Sequence, residues 1–345
     1  MMMWLKKWVI VSITSLVCVS CAIPPVQRSE VIVAVPQPQT MEVNKPLDKA
    51  PISALPTQPV IPPREFPVIK LPNSQPLQVR PPKRLISPPV MQFPVSLRKK
   101  IAVPGGIAWV LLPNQSMMPP QMTYQQRRVA TFYNGRQWFA LVGIPLSAKV
   151  GWHSIIDQQT QKRYSFQVKS KKYKTQRIKL KNKRLVNPNQ KDLRRIRSEH
   201  QQIKAALASP WRITSTSPLP LTQPVHGRFS SPFGLRRFFN GQRRNPHSGL
   251  DIAVSQGTSV RAAAAGKVVN TGHYFYTGKT IIIDHGLGIV TLYGHLNRIK
   301  VFTGQTVRRG QSIGTVGKTG RATGPHLHWG VSLNNTMINP MLVTQ

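Results

Sequence analysis

The chain has 345 residues, with 48 Lys and Arg against 9 Asp and Glu, which gives a formal net charge of +39. Charged residues make up 17% of it and hydrophobic residues 40%, and 18 of the 32 prolines lie between residues 22 and 97. This balance excludes a single compact domain and an acidic, disordered activator. Both cysteines, Cys18 and Cys21, lie near the start, which excludes a disulfide-stapled mini-protein.

The first 21 residues have the order of a secretion signal. Lys6 and Lys7 precede an apolar run that is shorter than the roughly 20 residues needed to span a bilayer. We predict a signal peptide over residues 1–21, with Cys21 as the acylated first residue of a lipoprotein. Ordinary cleavage near Ala22 and an uncleaved anchor stay open as alternatives. The expected location is the periplasm, with anchoring to the outer membrane if Cys21 carries lipid.

Export changes how the positive charge is interpreted. Outside the cytoplasm, the available anionic partners are lipid headgroups, lipopolysaccharide and wall polymers. We therefore expect affinity for an anionic outer-membrane or wall surface, with solubility alone as the alternative role of the charge. No nucleic-acid-binding module is apparent in the sequence, so nucleic acid is not an expected partner.

Three segments follow the signal in chain order. The many prolines of residues 22–97 predict an extended, semi-rigid linker. Short β-like runs, with Asn134-Gly135 as a hairpin turn signal, predict a small β-sandwich accessory domain over residues 98–170. Residues 171–223 read as a basic linker with a helix from Asn189, its candidate N-cap, to Ala208.

The last segment, residues 224–345, is predicted to be a predominantly antiparallel β domain. Glycine-rich turns separate its short apolar runs at intervals of about ten residues, and no long apolar helical period appears. The fold class predicted for the whole chain is therefore mainly β.

Histidines concentrate in this last segment, which holds seven of the nine, together with the carboxylates Asp251 and Asp284. Two motifs stand out, His247-x-x-x-Asp251 and His326-x-His328. On a strand, residues two apart share a face, so both histidines of the second motif can point the same way. Two neutral imidazoles and one carboxylate would suit tetrahedral Zn²⁺ with the fourth position open. The most economical interpretation of the other polar residues is structural: His226, His273 and His285 as surface or core residues, and Asp284 in a turn or an ion pair.

The combination of motifs resembles the lysostaphin-type (LytM) zinc metallopeptidases. Their signature is H-x-x-x-D followed far downstream by H-x-H, and Phe233-Gly-Leu-Arg236 and Gly294-His295-Leu296 also look like blocks of that family. The resemblance covers roughly residues 224–342, with a weaker likeness of residues 98–222 to the β-rich accessory region of such proteins. It implies that His247, Asp251 and His328 bind one zinc ion, and that His295 and His326 are the catalytic histidines outside the metal ligand set.

No glutamate follows Glu199, so the glutamate base of H-E-x-x-H enzymes is absent. We favour His295 as the base that orients water and His326 as the donor to the tetrahedral oxyanion, and the reverse assignment stays open. The resemblance implies hydrolysis of peptidoglycan cross-link peptides, with D-Ala–meso-diaminopimelate as the expected bond. Two alternatives remain: a non-catalytic LytM-type activator of a cell-wall amidase, and a hydrolase of exported peptides.

Overall fold

The computed structural model describes residues 102–113, 118–214 and 216–345. The predicted signal peptide and the Pro-rich linker lie outside these residues. Strands account for most of the regular structure, so the predicted mainly β fold class is confirmed. No helix in the described ranges is both long and apolar enough to cross a bilayer.

The first part of the described chain forms two small antiparallel sheets. One has the strand order β1-β5-β4 and the other β3-β2-β6-β7. A turn at Asn134 and Gly135 joins β4 to β5, as predicted, and Gly135 adopts the left-handed φ of +92° that glycine tolerates. The strands are β1 (Ile107–Leu112), β2 (Met122–Tyr124), β3 (Arg127–Arg128), β4 (Ala130–Tyr133), β5 (Trp138–Gly143), β6 (Gly151–Asp157) and β7 (Arg163–Val168).

These two sheets enclose an apolar core, as expected for a small sandwich. Val110, Trp138 and Val142 from one sheet pack with Met122 and the other apolar side chains of the second sheet. Alternate residues of each strand supply this core because successive side chains point to opposite faces. The accessory region is therefore a packed β unit.

The outer face of the β1-β5-β4 sheet is also buried. Ile107, Phe132 and Leu141 belong to one hydrophobic cluster with Trp329 and Leu333 of the C-terminal sheet. These side chains remove a continuous apolar surface from water, which favours a fixed contact between the accessory region and the sheet that carries the candidate site.

The C-terminal region is built on one large, mostly antiparallel sheet. Its main strand order is β17-β14-β15-β16-β19-β12-β9, and β18 pairs with both β13 and β16 while β20 pairs with β19. The central position of β19, between β16 and β12, brings residues far apart in sequence side by side. The strands are β9 (Arg228–Ser231), β12 (Leu250–Ala253), β13 (Ser259–Arg261), β14 (Gly266–Tyr274), β15 (Gly278–Asp284), β16 (Ile289–Ile299), β17 (Thr306–Val307), β18 (Ser312–Val316), β19 (Leu327–Leu333) and β20 (Thr336–Ile338).

A third, three-stranded sheet joins the basic segment to the C-terminal region. It contains β8 (Thr175–Ile178), β10 (Arg236–Phe239) and β11 (Gln242–Arg243), and β8 runs parallel to β10. The basic segment after the accessory region thus contributes a strand beside the candidate site, a role that its lysine-rich sequence did not reveal.

The predicted helix is confirmed as α1 (Gln190–Leu207). The Asn189 side chain accepts a hydrogen bond from the backbone N–H of Asp192, as an N-cap should, and Ala208 is the C-cap. Ala206 and Ile203 pack against Ile282 on the large sheet. Single-turn 3-10 helices cover Lys183–Leu185 and Pro340–Leu342.

Candidate metal centre

The pairing of β12 with β19 places a carboxylate opposite an imidazole. Asp251 is the direct cross-strand neighbour of His328 in the antiparallel ladder. Residues paired in this way project from the same face of the sheet, about 5 Å apart at Cβ. The register of two strands 77 positions apart therefore assembles half of the site.

His247 reaches the same point from the loop before β12. Its backbone N–H donates to the carbonyl of Leu235, and its own carbonyl accepts from Gly234. Gly249 allows the loop to approach, because a Cβ there would lie 2.6 Å from Cε1 of His328 and 2.7 Å from the carbonyl oxygen of Trp329. A larger residue at Gly249 would push the loop away from the sheet.

Three donor atoms meet in this way. Oδ1 of Asp251 lies 2.9 Å from Nε2 of His247 and 2.8 Å from Nδ1 of His328. The two imidazole nitrogens are 3.1 Å apart, and all three side chains are buried. The structure thus brings together the three residues predicted to bind metal.

The hydrogen bonds around His247 fix which of its nitrogens faces the cluster as an acceptor. Its Nδ1–H donates to the carbonyl of Pro232 at 2.9 Å, which leaves the lone pair of Nε2 for the cluster. Burial lowers the pKa of His247 to about 4, so the ring is neutral at neutral pH. Burial on its own would raise the pKa of Asp251, but the adjacent imidazoles of His247 and His328 outweigh it and hold that pKa well below its usual range.

Two imidazole nitrogens and a carboxylate oxygen are the donor set of catalytic zinc sites with three protein ligands. Ligands at about 2.0–2.1 Å in tetrahedral geometry stand roughly 3.3 Å from one another, close to the separations seen here. The residues present therefore fit a zinc ion, which would satisfy three electron-pair donors that protons alone satisfy poorly.

His295 lies beside this cluster in an uncommon backbone conformation. Its φ is +60°, within β16, where a non-glycine residue rarely adopts left-handed geometry. Its Nδ1–H donates to the carbonyl of Thr319 at 2.7 Å, so Nε2 keeps a free lone pair. Burial, with the nearby rings of His328 and His326, lowers the pKa of His295 to about 3.

His326 completes the histidine group. Its ring centroid lies 4.7 Å from that of His295, and its Nε2 is 3.9 Å from Oδ2 of Asp251. Its Nδ1–H donates to the carbonyl of Gly324, so Nε2 can donate only when the ring carries both protons. Asp251, His295 and His326 thus line one cleft of about 310 Å³, and His247 and His328 both contact Asp251. The individual roles of these five residues stay predictions.

An arginine that the sequence did not single out holds the second oxygen of the carboxylate. Arg237 donates to Oδ2 of Asp251 at 2.9 Å, and Gln176 of β8 accepts from Nε of Arg237 at 3.3 Å. Gln176 in turn donates to the hydroxyl of Ser231. The Phe233-Gly-Leu-Arg236 motif includes Arg236 instead, and that side chain is exposed. Adjacent strand residues point to opposite faces, and the sequence contains no signal that shows which of the two arginines faces the site.

The remaining histidines of this region lie outside the cluster. His226 and His273 are exposed, whereas His285 is buried with its ring nitrogens bonded to the carbonyl of Ala265 and the hydroxyl of Thr291. Asp284 pairs with Arg212 and accepts from the backbone of Gly286. These contacts agree with the structural interpretation given to them from the sequence.

A buried His–Asp–His group on an antiparallel sheet, with two further histidines in the same cleft, defines a metal-dependent hydrolase type of site. Residues 245–340 match the model of peptidase family M23, and residues 100–171 match the M23 N-terminal domain. A crystal structure of a peptidase assigned to family M23 from Pseudomonas aeruginosa is 40% identical, with a TM-score of 0.59, over 72% of this chain and 96% of that one. The chain belongs to peptidase family M23, the LytM-type family that its motifs resemble.

Curated relatives are similar to about a third of the chain. The DD-carboxypeptidase/endopeptidase Mpg of Neisseria gonorrhoeae is 43% identical over 119 residues, and the peptidoglycan DD-endopeptidase ShyA of Vibrio cholerae is 44% identical over 115 residues. The matches cover 34% and 33% of this chain. They span only 27% of the length of each relative.

Proposed function

We propose that this protein is a zinc-dependent endopeptidase that hydrolyses the D,D-peptide cross-links of peptidoglycan. The observation that carries the proposal is the buried convergence of His247, Asp251 and His328, with donor atoms 2.8–3.1 Å apart. The name of the similar Vibrio relative supports the choice of peptidoglycan as substrate, and the names of both the Neisseria and the Vibrio relative support a DD-endopeptidase.

Zinc, when held by His247, Asp251 and His328, supplies Lewis acidity and lowers the pKa of a water molecule. Arg237 and the backbone carbonyl of Pro232 fix the orientation of Asp251 and His247, as outer partners of metal ligands generally do. Because its metal-facing atoms are fixed before substrate arrives, the site requires little reorganisation.

The two remaining histidines have different roles in proton transfer and hydrogen bonding. His295 is held neutral by burial, and its free Nε2 can accept a hydrogen bond from the attacking water and orient it. His326 lies closer to solvent and, when it carries both protons, can donate from Nε2 to the oxygen of the scissile carbonyl as negative charge develops. This division keeps His295 as acceptor and His326 as donor.

We further propose that the protein acts in the cell envelope after export, with Cys21 as its lipid attachment point. The formal charge of +39 would favour approach to anionic wall or outer-membrane surfaces. Since such attraction is screened by salt, association with isolated envelopes should weaken as ionic strength rises.

Purified sacculi incubated with the mature protein test the proposal. We expect soluble muropeptides whose masses show cleavage at the D-Ala–meso-diaminopimelate bond, loss of release with chelator and recovery on adding zinc. Zinc binding without release from sacculi, but with stimulation of an added amidase, would instead establish a non-catalytic activator. Hydrolysis of glycine-rich peptides with intact sacculi would identify a hydrolase of exported peptides.

A further inference from the structure

Arg321 lies beside the candidate metal centre, on the loop between β18 and β19. It lines the cleft that also contains Asp251, His295 and His326. Its backbone N–H donates to the carbonyl of Tyr276 at 2.8 Å, which anchors the loop to the neighbouring strand connection. The position puts a guanidinium in the wall of the cleft where substrate would bind.

Two aromatic rings hold the Arg321 side chain. Its guanidinium carbon lies 4.1 Å from the ring centroid of Tyr276 and 4.5 Å from that of Phe239. Aromatic contacts of this kind restrict the plane of a guanidinium while leaving its N–H groups available at the edge. The group is therefore oriented before any ligand arrives.

The guanidinium of Arg321 makes no ion pair or hydrogen bond with any side chain that the structure describes. By contrast, Arg237, Arg184, Arg195 and Arg212 each pair with a carboxylate. Burial is the main cause that lowers the pKa of Arg321 to about 10, and the charges of Arg237 and Arg244 add to it, so the group stays charged at neutral pH. A half-buried cation with five free N–H donors is an anion-binding group without its anion.

The surroundings of Arg321 are positively charged as well. A second depression adjoins it, lined by Arg243, Arg244, Asn245, Pro246 and Tyr276. Asp251 is the single acidic residue that lines the cleft among the described residues, and Arg237 already binds its outer oxygen. A carboxylate entering the cleft would therefore meet several cations and little repulsion.

We propose that Arg321 binds a free carboxylate of the substrate peptide and thereby selects cross-links that carry one next to the scissile bond. The inference rests on the proposed endopeptidase function. In a D-Ala–diaminopimelate link, the carbon that bears the scissile nitrogen also bears a free carboxylate, which a planar guanidinium can bind through two parallel hydrogen bonds. A Gly–Gly bond offers no such group, so Arg321 would disfavour it.

Two synthetic cross-linked peptides test this assignment. Both contain the D-Ala–diaminopimelate bond, one with the adjacent carboxylate free and the other with it converted to a carboxamide. The wild-type zinc-loaded protein should cleave the free acid with a kcat/KM at least about tenfold higher than the amide, the ratio expected for a charged hydrogen-bonded pair. Arg321→Gln should bring the ratio close to one by raising KM for the acid, and Arg321→Lys should give an intermediate ratio.

A matched control is available at Arg308, an exposed arginine of the same region that does not line the cleft. Arg308→Gln should keep the wild-type ratio. Calorimetry can measure the binding of each peptide to chelator-treated protein, which gives the same comparison without cleavage. Wild type should bind the acid more tightly than the amide, and this preference should disappear in Arg321→Gln.

The outcomes separate the two proposals. Wild-type protein that cleaves acid and amide equally would overturn the role of Arg321 while the endopeptidase function stands. Preference for the acid that survives unchanged in a folded Arg321→Gln protein would also overturn it. Cleavage of neither peptide, nor of sacculi, would overturn the proposed function itself.

Discussion

The C-terminal region contains two buried polar groups, one around His285 and one formed by His247, Asp251 and His328, and they differ in how their polar atoms are satisfied. His285 bonds to the carbonyl of Ala265 and to Thr291, whose hydroxyl bonds to Tyr293, so each polar atom has a protein partner. At the other group, two imidazole nitrogens and a carboxylate oxygen face one another within 3.1 Å. Burial alone therefore does not mark a site; the unmatched electron pairs do.

We expect the largest effect on zinc content and activity from a change in the group of His247, Asp251 and His328. His247→Ala removes one donor and leaves Asp251 with a partner missing, so the variant should retain no stoichiometric zinc and lose at least about 10⁴ of the rate acceleration. Metal analysis after dialysis and muropeptide release from sacculi measure the two losses. His226→Ala, at an exposed position, is the control and should behave like wild type. Zinc at full occupancy in His247→Ala would remove that residue from the ligand set.

His295 should separate metal binding from turnover. His295→Ala leaves the three donor atoms in place but removes the free Nε2, so zinc content should match wild type while kcat falls about 10²–10⁴-fold. Metal analysis and kcat on a cross-linked peptide check both parts. If turnover is unchanged in this variant, His295 has no part in the reaction.

Substitution of His285, whose polar atoms all have protein partners, should change stability at acid pH and not activity. Burial lowers the pKa of His285 to about 4, below its unfolded value of 6.5, so the unfolded state binds the extra proton between these pH values. The free energy of unfolding is therefore at its full value above pH 6.5 and falls as the pH drops towards 4. The protonation of His285 accounts for a loss of about 3 kcal/mol over this range.

Urea unfolding of the chelator-treated protein measures this contribution. His285→Phe should be less stable at pH 7 by about 1–3 kcal/mol, because two polar partners lose their bonds, yet show a shallower decline towards pH 4. His273→Gln, at an exposed site, is the matched control. An identical pH slope in wild type and His285→Phe would show that burial does not keep this ring neutral.

The smallest expected effect concerns the support of Asp251. Arg237→Gln removes the bond to Oδ2 and should weaken zinc binding about 10–100-fold, the usual cost of losing an outer partner of a metal ligand. Arg236→Gln changes the neighbouring, exposed arginine and should leave affinity intact. Competition with a chromophoric chelator gives both constants, and equal affinity in the two variants would contradict the role of Arg237.

The sequence predicted the strands and the convergent motifs because both leave local signals. Short apolar runs separated by turns predicted the two β-rich regions, and two spaced motifs predicted the residues of the metal centre, which the structure brings together. Asn189 as a helix cap was also predictable, because capping depends on side-chain chemistry at one position.

What the sequence could not predict depends on contacts between distant segments. No local sequence pattern predicts that Asp251 pairs with His328 or that Arg237 rather than Arg236 faces the site. The same holds for the position of β8 beside the cleft. The left-handed backbone of His295 likewise lies where the register between β15 and β16 shifts, between Tyr293 and Leu296. The apolar face that Ile107 shares with the C-terminal sheet was hidden, because a continuous apolar run does not tell what covers its second side.

The most direct test of the central claim is a crystal of the protein grown with zinc and measured on both sides of the zinc absorption edge. We predict one anomalous peak at about 2.0–2.2 Å from each of Nε2 of His247, Oδ1 of Asp251 and Nδ1 of His328. A peak bound by other residues, or none at these three atoms in fully zinc-loaded protein, would contradict it.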